Sequence, residues 1–284
     1  MIKTYYTLAK PGIIYGNVLV AAGGFWLASG RHVHLLLFGA MVFGLALIIG
    51  SACVFNNYMD RDIDRLMERT AKRSLVTGIV SPSSSLLYAT ALGVAGSVIL
   101  LLFTNALTLA LALLGHFFYV VVYGLTKRKT VYGTLIGSIS GSLPPVVGYC
   151  AVTNHLDIVA LLLFLLLVAW QMPHFYAIAL YRKAEYAAAG IPVLPVVSGE
   201  ATAKLHIIAY IGAYCGVAVL LMLYGPAKYL YLILTLGIGL FWMRTSFVAL
   251  REPTSKQGAR KSFRVSLIAI TAWCFTIPLD AWVR

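Results

Sequence analysis

Apolar stretches about as long as a bilayer is thick recur along this whole sequence, and no other feature constrains the fold as much. A helix rises about 1.5 Å per residue, so about 20 apolar residues cross a hydrocarbon core of about 30 Å. Nine such spans can be drawn, at 13–29, 35–56, 84–104, 106–125, 131–152, 157–180, 205–224, 229–243 and 265–282. Hydrocarbon offers no water to unpaired backbone amides, so spans of this length are expected to be helical. The expected fold is all-α, a polytopic membrane protein with nine transmembrane helices in a single integral-membrane domain over residues 1–284. Composition agrees: 61% of the residues are hydrophobic and 11% charged, against roughly 25% charged in soluble domains. A soluble enzyme, a disordered tail and a secreted disulfide domain are excluded. The fifth span is rich in Gly and Ser and holds Pro144-Pro145, which predicts a kink or break there.

The net charge is +13, from 22 Lys and Arg against 9 Asp and Glu. In a soluble chain that excess would point to nucleic acid. Distributed over the ends and loops of nine spans, 19 of the 22 basic residues fall on one side and 3 on the other. The excess therefore reads as orientation, with the N-terminus cytoplasmic and the C-terminus outside, and no nucleic-acid partner is needed. The loops after the second, fourth and sixth spans mix basic residues with acids, amides and aromatics, which places the chemistry at the cytoplasmic mouth. Cys53, Cys150, Cys215 and Cys274 stand singly in or beside apolar segments and read as small apolar side chains. The N-terminus has no clear cleavage site and no transit-like character, which favours a bacterial plasma (inner) membrane.

Four of the nine acids crowd one segment, Asp60, Asp62, Asp64 and Glu68. If the second helix continues through it, Asn56, Asp60 and Asp64 recur at i, i+4 and i+8 on one face, with Asn57 at its edge. Arg61, Arg65 and Arg69 would form a parallel ridge about 100° further round. Stacked carboxylates repel unless a cation lies between them. Two Asp with one or two Asn suit Mg²⁺, which takes one or two carboxylates plus substrate phosphates, and neighbouring Arg residues can grip phosphate oxygens. The competing reading is an interfacial helix laced with salt bridges. Lys127-Arg128-Lys129 after the fourth span suits phosphate binding and positive-inside anchoring equally. In Trp170-Gln-Met-Pro-His-Phe-Tyr176 a proline frees a backbone carbonyl beside Gln171 and His174, at membrane depth where polar groups are functional candidates. A histidine there can equally be a helix-to-helix hydrogen bonder. No paired-His zinc spacing, P-loop, GxSxG or GxGxxG occurs.

Asn56-Asn57-x-x-Asp60-x-x-x-Asp64, with Glu68-Arg69-Thr-x-x-Arg73-x-Leu75-x-x-Gly78, resembles the first Asp-rich motif of the UbiA superfamily of intramembrane prenyltransferases. Tyr123-x-x-x-Lys127-Arg128-x-Thr130 is similar to that family's basic element. The segments from Tyr132 to Tyr149, from Trp170 through His174 to Ala179, and Ile191-Pro-Val-Leu-Pro-Val196 resemble its haem-directed branch. The likeness runs from Lys10-Pro-Gly-Ile to the end of the chain. It implies a UbiA-type nine-helix bundle that transfers farnesyl from farnesyl diphosphate to a vinyl group of protohaem IX (haem b), giving haem O. It further implies Mg²⁺ held by Asn56, Asn57, Asp60 and Asp64, with Asp60, Asp64 and Lys127 catalytic. Arg65, Arg69, Arg73, Lys127, Arg128, Arg182 and Lys183 would bind diphosphate. His174, Gln171 and Tyr149 would contact haem, in a bundle whose Gly- and Ser-rich fifth helix leaves room for a flat macrocycle. Many members carry a second acidic motif after the sixth helix; here Glu185 is its only acid, so diphosphate charge would fall more to Arg182 and Lys183. Implied partners are farnesyl diphosphate, haem b, the lipid bilayer, and a haem A synthase or terminal-oxidase assembly downstream. The alternatives are a quinone precursor or other aromatic acceptor on the same fold, a transporter or channel, and a haem-binding chaperone without chemistry.

Overall fold

The computed structural model describes residues 1–251 and 255–283; Arg284, the last of the basic residues counted above, lies outside them. Among the described residues nine helical stretches are long and apolar enough to cross a membrane. They are α2 (Pro11–Ser29), α3 (Leu35–Asp64), α4 (Pro82–Phe103), a composite span Ala106–Thr126, α7 (Gly133–Thr153), α8 (Ile158–Tyr181), α11 (Gly199–Tyr224), α12 (Tyr229–Arg251) and α13 (Ser255–Val283). The composite span joins α5 (Ala106–Phe117), a π-helical turn over Phe118–Tyr123 and the short α6 (Gly124–Thr126). Three short helices lie beside the spans: α1 (Ile2–Leu8), α9 (Lys183–Ala188) and α10 (Leu194–Val197).

All nine expected spans are present. The differences lie at their polar ends, because helices continue past the apolar window wherever hydrogen bonding and packing allow. α3 runs to Asp64 rather than 56, α11 begins at Gly199 rather than 205, α12 reaches Arg251, and α13 begins at Ser255 rather than 265. No break appears at Pro144-Pro145, and α7 is continuous through both prolines. There α2 lies directly against α7: a Cβ on Gly24 would overlap the carbonyl of Pro145, and one on Gly148 the carbonyl of Ala21. Hydrogen at those two positions is what lets the backbones meet.

The main core is shared by α2, α3, α5, α7, α8, α11 and α13, with Phe25, Met41, Leu163, Leu166, Tyr214 and Trp273 fully buried. A smaller core of Leu8, Val54, Leu75, Val80 and Ala89 clamps α1 and the 65–80 segment onto α3 and α4. All four cysteines are free.

The end of the bundle remote from the charged loops is closed by capping between elements distant in sequence. Arg31 donates to the carbonyls of Ala281 and Trp282, both at 3.0 Å, at the C-terminus of α13. Asn105 donates to Cys150 O at 2.9 Å, near the end of α7. Asp280 accepts from the backbone amides of Lys228 (3.0 Å) and Tyr231 (3.2 Å) where α12 begins. Asp157 caps α8 through Ala160 N at 2.9 Å and takes the Tyr149 hydroxyl at 2.7 Å. These groups satisfy helix-end donors and acceptors that would otherwise be orphaned.

Candidate functional site

A cavity of ≈ 920 Å³ opens at the charged end and narrows into the bundle between α2, α3, α5, α7, α8 and α13. Its depth is apolar, with Val20, Leu45, Ile48, Leu111, Leu143 and Val147 in its walls. Its mouth carries six basic side chains (Lys10, Arg69, Arg73, Lys127, Arg128, Arg182) and two carboxylates, Asp60 and Asp64. An excess of fixed cations at one end of an apolar chamber suits a ligand with a polyanionic head and a greasy body.

The continuation of α3 puts Asn56, Asp60 and Asp64 on one buried face toward the cavity. Each already holds a cation. Asn56 Oδ1 accepts from Lys10 Nζ at 3.1 Å. Asp60 is paired with Lys127, and with Arg128 at 3.3 Å. Asp64 is paired with Arg73 at 2.5 Å. These oxygens form a hard donor set matching what Mg²⁺ takes alongside substrate phosphates, and four ammonium or guanidinium groups, those of Lys10, Lys127, Arg128 and Arg73, stand against them. Among the described residues no three His, Cys, Asp or Glu side chains converge on a metal position. The acidic face thus carries two carboxylates and one amide.

The basic side chains arrive by three routes. α3 stops at Asp64, whose carbonyl accepts from Thr70 Oγ1 at 2.9 Å, and the chain turns back. Burial of Leu75 and Val80 against Leu8 and Val54 then returns Arg69 and Arg73 to the cavity. On α5 and its π turn, Tyr119 and Tyr123 stack at 5.7 Å, and Lys127 Nζ lies 5.0 Å from the Tyr123 ring. A π turn inside a membrane helix is rare and commonly functional. Glycines of α7 receive this wall: a Cβ on Gly133 would stand 2.7 Å from Lys127 Cα, and one on Gly137 2.9 Å from the Tyr123 ring. Lys10 arrives from the start of α2, where it holds a left-handed conformation (φ 55°) ahead of Pro11. Burial pulls its ammonium down to about 8, with the charge of Arg73 acting the same way and Asp60 opposing. Burial also lowers Lys127, against the pull of Asp60, whereas hydrogen bonding to Asp62 raises Arg128.

On the opposite wall, Gln171 donates to Ser142 Oγ at 2.8 Å and Leu167 O at 3.2 Å. His174 lies between Trp170 and Phe263, with ring centroids at 4.9 and 4.8 Å. Its Nδ1 is 2.7 Å from Ser266 Oγ, and Ser266 directs its own hydroxyl hydrogen to Phe263 O at 2.6 Å. With the Ser266 hydrogen on Phe263 O, Nδ1 serves as the donor, and in that tautomer a neutral ring carries its lone pair on Nε2. His174 and Gln171 both line the cavity.

The structure places several of the expected site residues elsewhere. Asn57 turns away from the acidic face and donates to Leu8 O at 2.8 Å, outside the cavity lining. Arg65 is exposed and outside the lining, and the Arg61–Arg65–Arg69 ridge does not exist because the helix ends before Arg69. Lys183 pairs with Glu200 at 3.0 Å, away from the cavity. Glu185 is likewise outside the lining and pairs with Arg182 at 3.1 Å. Tyr149 belongs to the remote end, on Asp157. The glycines of α7 do not simply leave room: a Cβ on Gly141 would overlap the Gln171 amide, so that glycine seats a side chain. The sequence reading gave no site role to Lys10, which it counted as a terminal charge and as the start of the family likeness, or to Tyr119. It also passed over Tyr186, which lines the cavity where Glu185 does not. Burial raises the Tyr186 hydroxyl above its ordinary value, against the pull of Arg69 and Arg182, which keeps it a neutral donor. In sequence Lys10 shows only as the residue before Pro-Gly, a position that favours extended backbone; its left-handed conformation is a finding of the structure.

A carboxylate–cation mouth on an apolar intramembrane chamber defines a class, and the family model of that class matches: over residues 17–268 the chain belongs to the UbiA prenyltransferase family. Solved structures share the fold. A digeranylgeranylglyceryl phosphate synthase superposes with a TM-score of 0.81 at 19% identity, covering 100% of this chain and 99% of that one. A UbiA homologue from Archaeoglobus fulgidus bound to GPP and Mg²⁺ gives 0.67 at 17% identity, covering 97% and 99%. In sequence, the protoheme IX farnesyltransferase of Photorhabdus laumondii is 48% identical over 284 residues, 100% of this chain and 97% of that protein. That of Serratia proteamaculans is 49% identical over 281 residues, 99% and 95%.

Proposed function

We propose that this chain transfers the farnesyl group of farnesyl diphosphate to a vinyl group of protohaem IX, giving haem O and diphosphate, at the cytoplasmic face of a bacterial plasma membrane. The observation that carries the reading is one chamber presenting a diphosphate-type mouth and, on the facing wall, a histidine that lines the same cavity and is held through Nδ1 by Ser266. Relatives about 48% identical over the full length bear that activity in their names.

In this reading Asn56, Asp60 and Asp64 would hold Mg²⁺, which would offset charge growing on the departing diphosphate. Lys127, Arg128, Arg69, Arg73 and Lys10 grip the diphosphate oxygens, with Arg182 and the Tyr186 hydroxyl on the facing side. Breaking the bond between farnesyl C1 and oxygen leaves an allylic cation. The terminal vinyl carbon forms the new C–C bond, water adds to the adjacent cationic carbon, and a proton is released. The apolar depth keeps other water from the cation. His174 Nε2 is the candidate iron ligand or propionate partner, with Gln171 beside it.

The deciding experiment is mass spectrometry of the porphyrin fraction after purified protein is incubated with haem b, farnesyl diphosphate and Mg²⁺. The expected product carries one farnesyl and one hydroxyl. Unchanged haem, with prenylation of a quinone precursor supplied alongside, would refute the acceptor assignment.

A further inference from the structure

Gln171 uses only the nitrogen of its amide. Nε2 donates to Ser142 Oγ at 2.8 Å, Leu167 O at 3.2 Å and Ser138 O at 3.4 Å. Two of these partners are backbone carbonyls, which only accept, so the nitrogen belongs on that side and the amide cannot be turned over. Oε1 therefore faces the other way, against Gly141, where an added Cβ would overlap it. Among the described residues nothing donates to this oxygen. Gln171 is 4% exposed, yet Oε1 is not sealed off and stays open to the chamber that the residue lines. Fastening α8 to α7 accounts for the nitrogen. It does not account for an idle carbonyl oxygen at membrane depth, where an unpaired acceptor is costly and polar groups are functional by default.

Gly133, Gly137 and Gly141 recur at i, i+4 and i+8 and form one stripe of α7. Each seats a side chain of the chamber wall: Lys127, Tyr123 and Gln171 in turn. The two ends of the stripe are about 12 Å apart along the helix axis. The proposed function places Lys127 on the diphosphate. From its ammonium the reacting atoms run through a diphosphate oxygen, farnesyl C1, two vinyl carbons and a water oxygen. With hydrogen bonds of about 2.8 Å at both ends and covalent bonds of about 1.5 Å between, that path reaches Gln171 in about 12 Å. The stripe thus sets Lys127 at the diphosphate end of the reaction and Gln171 at the water end.

We propose that Gln171 Oε1 holds and aims the one water that the reaction consumes. The assignment rests on the transfer to haem proposed above. Once farnesyl C1 has bonded to the terminal vinyl carbon, the positive charge lies on the carbon beside the ring. The water, with one hydrogen on Gln171 Oε1, gives a lone pair to that carbon and forms the C–O bond. The surplus proton of the resulting oxonium passes to the departing diphosphate, the base that the reaction itself releases. A chamber without an aimed water leaves a second route. The cation then loses a proton from the adjoining CH₂ to the same diphosphate, and the product is an alkene one water lighter. Gln171 is a positioning residue that selects alcohol over alkene.

The test compares wild type, Gln171→Met and Gly141→Ala as full chains in nanodiscs with haem b, farnesyl diphosphate and Mg²⁺, resolving the porphyrins by mass spectrometry. Methionine keeps the length of the side chain without the oxygen, and the alanine methyl keeps the amide but displaces its oxygen. Total turnover falls in both, and the product should change in kind. The ratio of alcohol to alkene should drop about tenfold, the weight of one hydrogen bond. A wild type that yields no farnesylated porphyrin would refute the haem reading itself. A wild type that yields the alcohol, with both variants yielding it in undiminished ratio, would leave that reading standing and overturn the role of Gln171. Variants that both yield no farnesylated porphyrin of either kind would also overturn it, because Gln171 would then seat the acceptor rather than the water.

Discussion

In the proposed function the pair Asp60–Lys127 serves both folding and chemistry, and the two roles can be separated by substitution. Both side chains are largely sequestered, at 12% and 14% relative exposure. Asp60→Asn keeps the shape and removes the charge, leaving Lys127 without its carboxylate. Stripping one partner from a buried pair costs about 3–5 kcal/mol. Arg128 retains Asp62 at 2.9 Å, so only Lys127 is orphaned, and the expected loss is about 2–3 kcal/mol. Apparent unfolding midpoints in detergent should fall by about 5 °C. Prenyl transfer should fall at least about 100-fold, the scale of losing one charge-stabilising group. Adding Lys127→Met replaces the stranded ammonium with an apolar chain of similar length. The double variant D60N/K127M should recover most of the lost stability, because an apolar pair needs no counterion. It should recover none of the activity, because the proposed function has both groups facing the diphosphate. Melting curves and turnover on the four members of the cycle decide it. A double variant no more stable than D60N would refute the claim that Lys127 depends on Asp60, and an active double variant would remove both from the chemistry.

Three other outcomes follow from the geometry. His174→Ala should shift the absorption spectrum of haem bound to purified protein; an identical spectrum removes Nε2 as an iron ligand. Gly148→Ala would place a methyl 2.8 Å from Ala21 C and 2.9 Å from Phe25 N, both backbone atoms, and should cost about 1–3 kcal/mol or more by forcing α2 off α7; an unchanged melting midpoint contradicts that contact. Asp157 is held below the usual carboxylate range, where burial pushes it up but hydrogen bonds from Ala160 N and the Tyr149 hydroxyl, with His155 adjacent, prevail. Its stabilising effect is therefore present above the unfolded carboxylate value and lost as pH falls through the folded one. The wild-type melting midpoint should drop between about pH 5 and pH 3 by more than that of D157N, and parallel curves would count against the cap.

Much of the architecture was legible because a bilayer makes length and hydropathy sufficient to find spans. The buried face Asn56–Asp60–Asp64 was legible because i, i+4, i+8 spacing survives in any straight helix. Arg65 and Arg69 illustrate what spacing cannot carry. Both were placed on a helical ridge, yet the helix stops at Asp64, and Leu75 and Val80 finding Leu8 and Val54 brings Arg69 back while Arg65 stays outside. Asn57 was assigned to the metal face for its neighbours in sequence, but α1, whose position depends on tertiary packing, takes its amide. Tyr149 has the composition of a ligand-binding residue and the depth of a capping one. Lys10 looked like one terminal charge among several, since its contact with Asn56 spans 46 residues.

The capping at the end remote from the site carries a mechanical consequence. Arg31 fastens α13, Asn105 fastens α7, and Asp280 fastens the start of α12, so that end behaves as the sewn seam of a pouch. A porphyrin is wide and rigid, whereas a farnesyl chain can thread. In the proposed function, whatever widening admits the macrocycle is therefore confined to the rim while the seam holds. Loosening the seam would not quicken entry; it would let the pouch split from below.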